Sequence, residues 1–307
     1  MVVLSLVVPV FNEEEAVPLF VDAVVPVLDA CTPDWEIVFV NDGSRDGTWA
    51  SICAAAANNP RVRGVSFARN FGKEAALTAG LSEAKGQAVI PMDVDLQDPP
   101  ELIESFFRIW QAGGADTVYG RRVSRGADTW LKRRTAGAFY KLFNRIASHK
   151  IEENVGDFRL MDRKVVDAVL ALPEKNRFMK GLFSWVGYRS VGVPYERPER
   201  VVGTTKFNYW KLWNFALDGI TGFSTLPLRV WTYVGVGVGL VAFLFACWVV
   251  VRTLIWGVDT PGYASIMVAV LFLGAIQLMS LGIIGEYLGR LYVEVKGRPL
   301  FIIADRV

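Results

Sequence analysis

Two stretches of this chain carry no charge at all: Val230 to Val251, 22 residues, and Thr260 to Gly285, 26 residues. A hydrocarbon core about 30 Å thick is crossed by about 20 helical residues, so each run is long enough to span it. Uncharged runs of this length are rare in the helices of soluble cores. The chain therefore reads as a membrane protein, with spans near residues 230–254 and 262–285. Arg252 to Asp259, between them, is too short to be a domain, so the spans form a hairpin with both long flanks on one side. Arg229 precedes the first span and Arg290, Lys296 and Arg298 follow the second, whereas the turn offers only Arg252. That bias expects the N-terminal region and both termini in the cytoplasm. Gly235 with Gly239, and Gly285 with Gly289, are small-x-x-x-small pairs that suit either packing within the hairpin or a homo-oligomer.

The rest of the chain has a different grammar. Leu4 to Phe11, Glu36 to Val40, Val62 to Phe67 and Ala88 to Met92 are strand-like. Ala16 to Ala30, Thr48 to Ala57 and Glu74 to Ala84 are helical between them, with Asn12 and Glu15 read as a capping box for the first. Alternating strands and helices predict an α/β fold, a mostly parallel sheet with helices on its faces. In such sheets ligands sit at the carboxyl ends of the strands. The expected organisation is a catalytic domain over 1–200, a juxtamembrane amphipathic region over 201–228, the hairpin over 229–290 and a cytoplasmic tail over 291–307.

The chemistry available is narrow. A formal charge of +2 gives no nucleic-acid signal. Three cysteines, Cys31, Cys53 and Cys247, without a C-x-x-C pair, argue against a disulfide framework and a zinc site. The single histidine, His149, leaves no His-His metal centre and disfavours a Ser-His-Asp triad. Carboxylates must carry any metal or acid–base work. Asp93-Val94-Asp95-Leu96-Gln97-Asp98 follows the strand at Ala88, and two carboxylates at i and i+2 on extended backbone can approach one hard divalent cation, with an amide as a third oxygen. Between Arg121 and Lys150, nine Lys or Arg residues stand against Asp128 alone, with Trp130, Phe139, Tyr140, Leu142, Phe143 and Ile146 interleaved. This segment, and Phe207 to Ile220 with Trp210 and Trp213, read as helices lying on a membrane surface.

In order along the chain stand Val7-Val8-Pro9-Val10-Phe11-Asn12-Glu13, Asn41-Asp42-Gly43-Ser44-Arg45-Asp46-Gly47-Thr48, Arg69-Asn70-Phe71-Gly72-Lys73, Asp93-Val94-Asp95-Leu96-Gln97-Asp98-Pro99-Pro100 and Gly156-Asp157-Phe158-Arg159-Leu160. This set resembles the glycosyltransferase family 2 enzymes with a GT-A fold. Within them it resembles the polyprenyl-phosphate glycosyltransferases, whose bactoprenol glucosyltransferase branch also carries two C-terminal spans.

The resemblance implies a donor-nucleotide site of Pro9, Phe11, Glu13, Asp42, Lys73 and Asp93, with Asp42 accepting from the base or, alternatively, serving its own turn. It implies Mg²⁺ or Mn²⁺ held by Asp93, Asp95 and Gln97, and a catalytic pair of Asp95 and Asp157. Asp157 acts as base or as an orienting group, the alternative being a buried salt bridge with Arg159. Arg122, Arg134, Arg200 and Lys206 match positions binding the lipid phosphate and donor diphosphate, with a solvated basic face as the alternative. The expected reaction is inverting hexose transfer, from UDP-glucose first and from GDP-mannose or a modified UDP-sugar otherwise, to a polyprenyl phosphate at the bacterial inner membrane. A catalytically silent membrane scaffold is the alternative from another class.

Overall fold

The computed structural model describes residues 1–122, 155–175, 177–195, 226–257 and 262–307. The chain divides into two compact units, Met1–Gly219 with Arg298–Val307, and Ile220–Gly297. In chain order the first unit holds β1 (Leu4–Val10), α1 (Ala16–Cys31), β2 (Trp35–Asn41), α2 (Thr48–Asn58), β3 (Val62–Phe67), α3 (Lys73–Glu83), β4 (Ala88–Pro91), α4 (Leu102–Gln111), β5 (Thr117–Arg122), β6 (Val155–Asp162), α5 (Arg163–Ala171), α6 (Met179–Trp185) and β7 (Ser190–Tyr195). The second unit is α7 (Leu226–Trp256) and α8 (Tyr263–Val295), after which β8 (Ile303–Arg306) returns to the first.

One eight-stranded sheet runs in the order β7-β5-β6-β4-β1-β2-β3-β8. The block β4-β1-β2-β3 is parallel, as is β5 with β7, while β6 runs antiparallel to β4 and β5, and β8 antiparallel to β3. The sheet is thus mixed and mostly parallel, as expected, with four of its seven strand pairings parallel. The parallel block is the part that local sequence pattern reveals, because its strands are short, largely apolar runs with nearly every residue buried. All seven residues of β1 and of β2 are buried.

On one face, α1 lays Val17, Phe20, Val24 and Leu28, one helical stripe, against Leu4, Leu6, Val8 and Phe39. Burying a side chain such as Phe20 is worth about 1.5–3 kcal/mol, so this stripe outweighs the weak intrinsic helix propensity of a valine-rich segment. On the other face α3 is built from small residues. A Cβ on Gly80 would stand 2.1 Å from Val7 Cγ1, so only glycine lets the helix sit this close to β1.

Two features differ from the expectations. Asn12 does not cap α1: Glu15 occupies that position without a side-chain cap. Asn12 instead takes φ 54° and ties the β1 loop to the β2 loop, accepting from the Arg45 N–H at 2.9 Å and donating its own N–H to Ser44 Oγ at 2.9 Å. The segment expected as a tail also ends in order, as β8 paired with β3. Segments 123–154 and 196–225, where the membrane-surface helices were expected, lie outside the described residues.

Both hairpin helices are long and apolar enough to cross a membrane, over Val230–Trp256 and Val268–Val295. Residues Gly235, Gly239, Gly285 and Gly289 all face open space.

Candidate active site

The polar strand ends meet where β1, β2, β4 and β6 come together. Parallel neighbours present their loops side by side, so motifs far apart in sequence become one surface. The β2 loop is fixed by backbone geometry: Gly43 takes φ +65°, and a Cβ there would lie 2.3 Å from the Arg69 carbonyl carbon. That close approach brings Asp42 under the 69–72 loop, where its Oδ1 accepts from the Phe71 N–H at 2.6 Å and its Oδ2 from the Gly72 N–H at 2.9 Å. Burial pushes the Asp42 carboxyl above its ordinary value, against the pull of those two donors. Asp42 therefore organises the loop before α3 as well as facing the strand ends.

Lys73, the first residue of α3, is the hub. Its ammonium lies 2.7 Å from Asp93 Oδ1, 2.9 Å from Asp93 Oδ2 and 3.1 Å from Asp157 Oδ2. Burial works against its charge, yet the two carboxylates outweigh it and hold the lysine pKa above its usual range. For Asp157 burial alone would raise the pKa, but Lys73, Lys180 and Arg159 outweigh it, so its carboxyl sits below the ordinary value and stays ionised at neutral pH.

Asp93 and Asp95 flank the buried Val94, which fixes their loop to the core. Asp95 Oδ1 accepts from the Gln97 N–H at 3.2 Å, and Leu96 between them takes φ 53°, a conformation uncommon for leucine. Gln97 is buried. Among the described residues no three His, Cys, Asp or Glu side chains gather in one cluster. A site of two carboxylates and an amide leaves coordination positions for phosphate oxygens and water, which suits Mg²⁺ or Mn²⁺ rather than a closed protein cage.

The structure thus joins Lys73, Asp93 and Asp157 in one ion-pair network, with Asp42 holding the loop just before Lys73 and with Asp95 and Gln97 on the loop that follows Asp93. Pro9 is buried in β1, Phe11 is exposed at its end, and Glu13 donates its N–H to Thr48 Oγ1 at 2.8 Å. Arg122 ends β5, opposite Tyr195 of β7; Arg134, Arg200 and Lys206 lie outside the described residues.

Two further residues were not singled out by sequence reasoning. Asp98 is buried and accepts a short hydrogen bond from the Tyr195 hydroxyl, tying the Asp93–Asp98 loop to β7. Glu74 accepts from the Met179 N–H at 3.3 Å, and burial together with Asp157 pushes its carboxyl up to about 7. Asp98 stood inside a quoted motif and Glu74 beside one, but their partners come from β7 and α6, which no local pattern connects to them.

The glycosyl transferase family 2 model matches residues 5–170, more than half of the chain. The chain belongs to glycosyl transferase family 2. It is a glycosyltransferase, and its sheet carries the GT-A-like arrangement. A second model, the GtrB C-terminal hairpin, matches residues 226–291 and associates this family 2 member with a membrane. It is 56% identical to the SfII prophage-derived bactoprenol glucosyl transferase of Shigella flexneri, over 98% of this chain and 97% of that one. It is 55% identical to a prophage bactoprenol glucosyl transferase homolog of Escherichia coli, over 98% of each, and 53% identical to an uncharacterized glycosyltransferase of Synechocystis, over 98% and 95%. Among solved structures, glucosyl-3-phosphoglycerate synthase of Mycobacterium tuberculosis, in complex with Mn²⁺, UDP-glucose and phosphoglyceric acid, aligns at 19% identity and a TM-score of 0.48, over 71% of this chain and 77% of that one.

Proposed function

We propose that this glycosyltransferase moves glucose from UDP-glucose, with inversion, to the phosphate of a polyprenyl carrier on the cytoplasmic face of a bacterial inner membrane. One observation carries the substrate pair: 56% identity, hairpin included, to a chain named as a bactoprenol glucosyl transferase. The Lys73 network supports the chemistry.

A divalent cation, Mg²⁺ or Mn²⁺, held by Asp93, Asp95 and Gln97, would neutralise charge on the departing diphosphate. The side chains have their own tasks. Lys73 engages both oxygens of Asp93. With Asp93 serving as a ligand, a cation would compete with the ammonium for its charge, and a diphosphate oxygen is the anion to which Lys73 would turn. Cation and donor then bind together better than either alone. Asp157, kept ionised by Lys73, Lys180 and Arg159, supplies a fixed negative charge beside that site. No proton need be removed from the acceptor, because a phosphomonoester with a second pKa of about 6 is already a charged nucleophile at neutral pH. Asp157 is accordingly assigned to orienting the sugar and stabilising positive charge at the anomeric carbon. The exposed ring of Phe11 and the carboxylate of Asp42 are assigned to the uridine, and Pro9 and Glu13 to the walls of that subsite. Arg122, Arg134, Arg200 and Lys206 are assigned to phosphate oxygens of donor and acceptor, which guanidinium forks fit.

Transfer of label into the organic phase tests this, with purified protein, undecaprenyl phosphate, Mg²⁺ or Mn²⁺, and radiolabelled UDP-glucose, UDP-galactose or GDP-mannose in parallel. Label from UDP-glucose alone, abolished by EDTA, is expected. Label from GDP-mannose or UDP-galactose instead reassigns the donor, and transfer that survives EDTA overturns the metal assignment.

A further inference from the structure

The C-terminal segment reaches the underside of the donor loop. Beyond α8 the chain packs Phe301 flat on Phe67, ring centroids 5.0 Å apart and 10° between planes. Phe67, at the end of β3, meets Phe71 edge-on at 5.7 Å and 90°. Phe71 lies under the Arg69 guanidinium at 4.0 Å, and its N–H is one of the two held by Asp42. The backbone follows the same route: the Ala68 N–H donates to the Ile302 carbonyl at 3.0 Å, one residue before the loop begins. Ile303 and Phe301 also pack on the cluster of Val40, Val65, Phe67, Ala75, Ala76 and Ala79, which carries the first turns of α3. Arg306 reaches Glu83 at the far end of that helix, 3.1 Å away.

We infer that Phe301 is a positioning residue for the nucleotide-sugar donor: it acts through Phe67 and Phe71 to hold the 69–72 loop against Asp42 and to set Lys73 at the start of α3. The physical step is short. Interior side chains are close-packed, so removing one ring leaves a gap into which its neighbours relax. Phe67 is nearly fully buried, and the support lost beneath it is passed to Phe71. A shift of Phe71 loosens the two N–H groups that orient Asp42, and Lys73 follows two residues later. Recognition of the donor's nucleoside suffers, whereas the basic residues assigned to the donor and acceptor phosphates, Arg122, Arg134, Arg200 and Lys206, lie on other segments of the chain.

The inference rests on the UDP-glucose reading above, and the test separates the two. UDP binding in the presence of Mn²⁺ is measured by titration calorimetry on the full-length detergent-solubilised protein, together with KM for each substrate. Phe301→Ala should weaken UDP and raise the donor KM about tenfold, the order expected for losing an aromatic contact, with acceptor KM within about twofold. Phe301→Tyr keeps the stacked ring and should restore UDP affinity to within about twofold of the parent. If Phe301→Ala cannot be purified folded, Phe301→Leu replaces it, with about a threefold loss expected. Unchanged UDP affinity in the folded Ala or Leu variant overturns the inference, as does an equal rise in both KM values, which marks a general loss of stability. A parent protein that binds no UDP overturns the donor reading and this inference with it.

Discussion

The two units of this chain solve the same problem, an excess of apolar side chains, in opposite ways. In the first, Phe20, Trp35, Phe39, Phe106 and Phe158 are removed from solvent by the chain's own packing. In the second, Phe243 is 65% exposed, Leu240 58% and Val236 67%. The first unit carries its core inside; the hairpin's apolar surface is stable only when the surroundings are hydrocarbon. Polar groups tell the same story. Glu36, 5% exposed, is fully engaged, accepting from Ser5 Oγ at 2.6 Å and Arg63 Nε at 2.8 Å, whereas the span of α7 from Val230 to Val251 holds no charge to pair. One unit therefore depends on internal complementarity, the other on its medium.

Four substitutions break or sharpen that contrast, in order of expected size. Glu36→Ala leaves Arg63 half-buried with its main partner gone and should destabilise the first unit by about 3–5 kcal/mol, read by chemical denaturation, with membrane retention unchanged. Loss of membrane retention together with loss of stability would show that the units do not fail separately. Asp95→Ala should lower kcat by roughly 10²–10³-fold with unfolding and extraction from membranes unaltered, checked in the transfer assay beside a thermal melt. Normal turnover would remove Asp95 from the site. Leu240→Arg reverses the logic: a charge near the middle of a span costs about 2.5–3.5 kcal/mol of insertion, so carbonate-resistant membrane protein should fall while UDP binding persists.

The smallest effect is a pH dependence. Glu74 has its folded pKa raised to about 7 from 4.5, chiefly by burial and then by Asp157, against the Met179 N–H, Lys73 and Lys180. Arg177 also faces it. Its contribution to stability is therefore full below about pH 4.5 and is lost as pH rises through about 7. Glu74→Gln should flatten the melting temperature across that window and gain on the parent at pH 8. A parallel pair of curves would sink the assignment.

What the sequence reveals and what it hides follow the same division. The strands β1 to β4 and the helices α1 to α3 fall within a residue or two of the expected bounds, and the hairpin helices cover both expected spans, because each is encoded by a local run or period. The antiparallel strands β6 and β8 were not foreseen, since what makes them strands is an edge supplied by distant residues. Ile303-Ala304-Asp305-Arg306 has nothing apolar enough to announce itself; it is ordered because β3 offers unpaired backbone groups. Asn12 misled for a related reason, its side chain serving the neighbouring loop rather than its own helix. In the site, the quoted motifs locate Asp42, Lys73, Asp93 and Asp157, but that one ammonium bridges Asp93 and Asp157 is a property of the folded sheet.

The position of β8 in the chain has a consequence for biogenesis. It is synthesised after both apolar helices, so the catalytic sheet leaves the ribosome with the β3 edge bare. At 5–20 residues per second, the interval between β3 and β8 is on the order of tens of seconds. Throughout it the nascent domain displays an open strand edge, the feature that invites mispairing with other chains. The last edge of the sheet can therefore close only after the whole hairpin has been made, so the first unit is completed by a segment that the second unit separates from it.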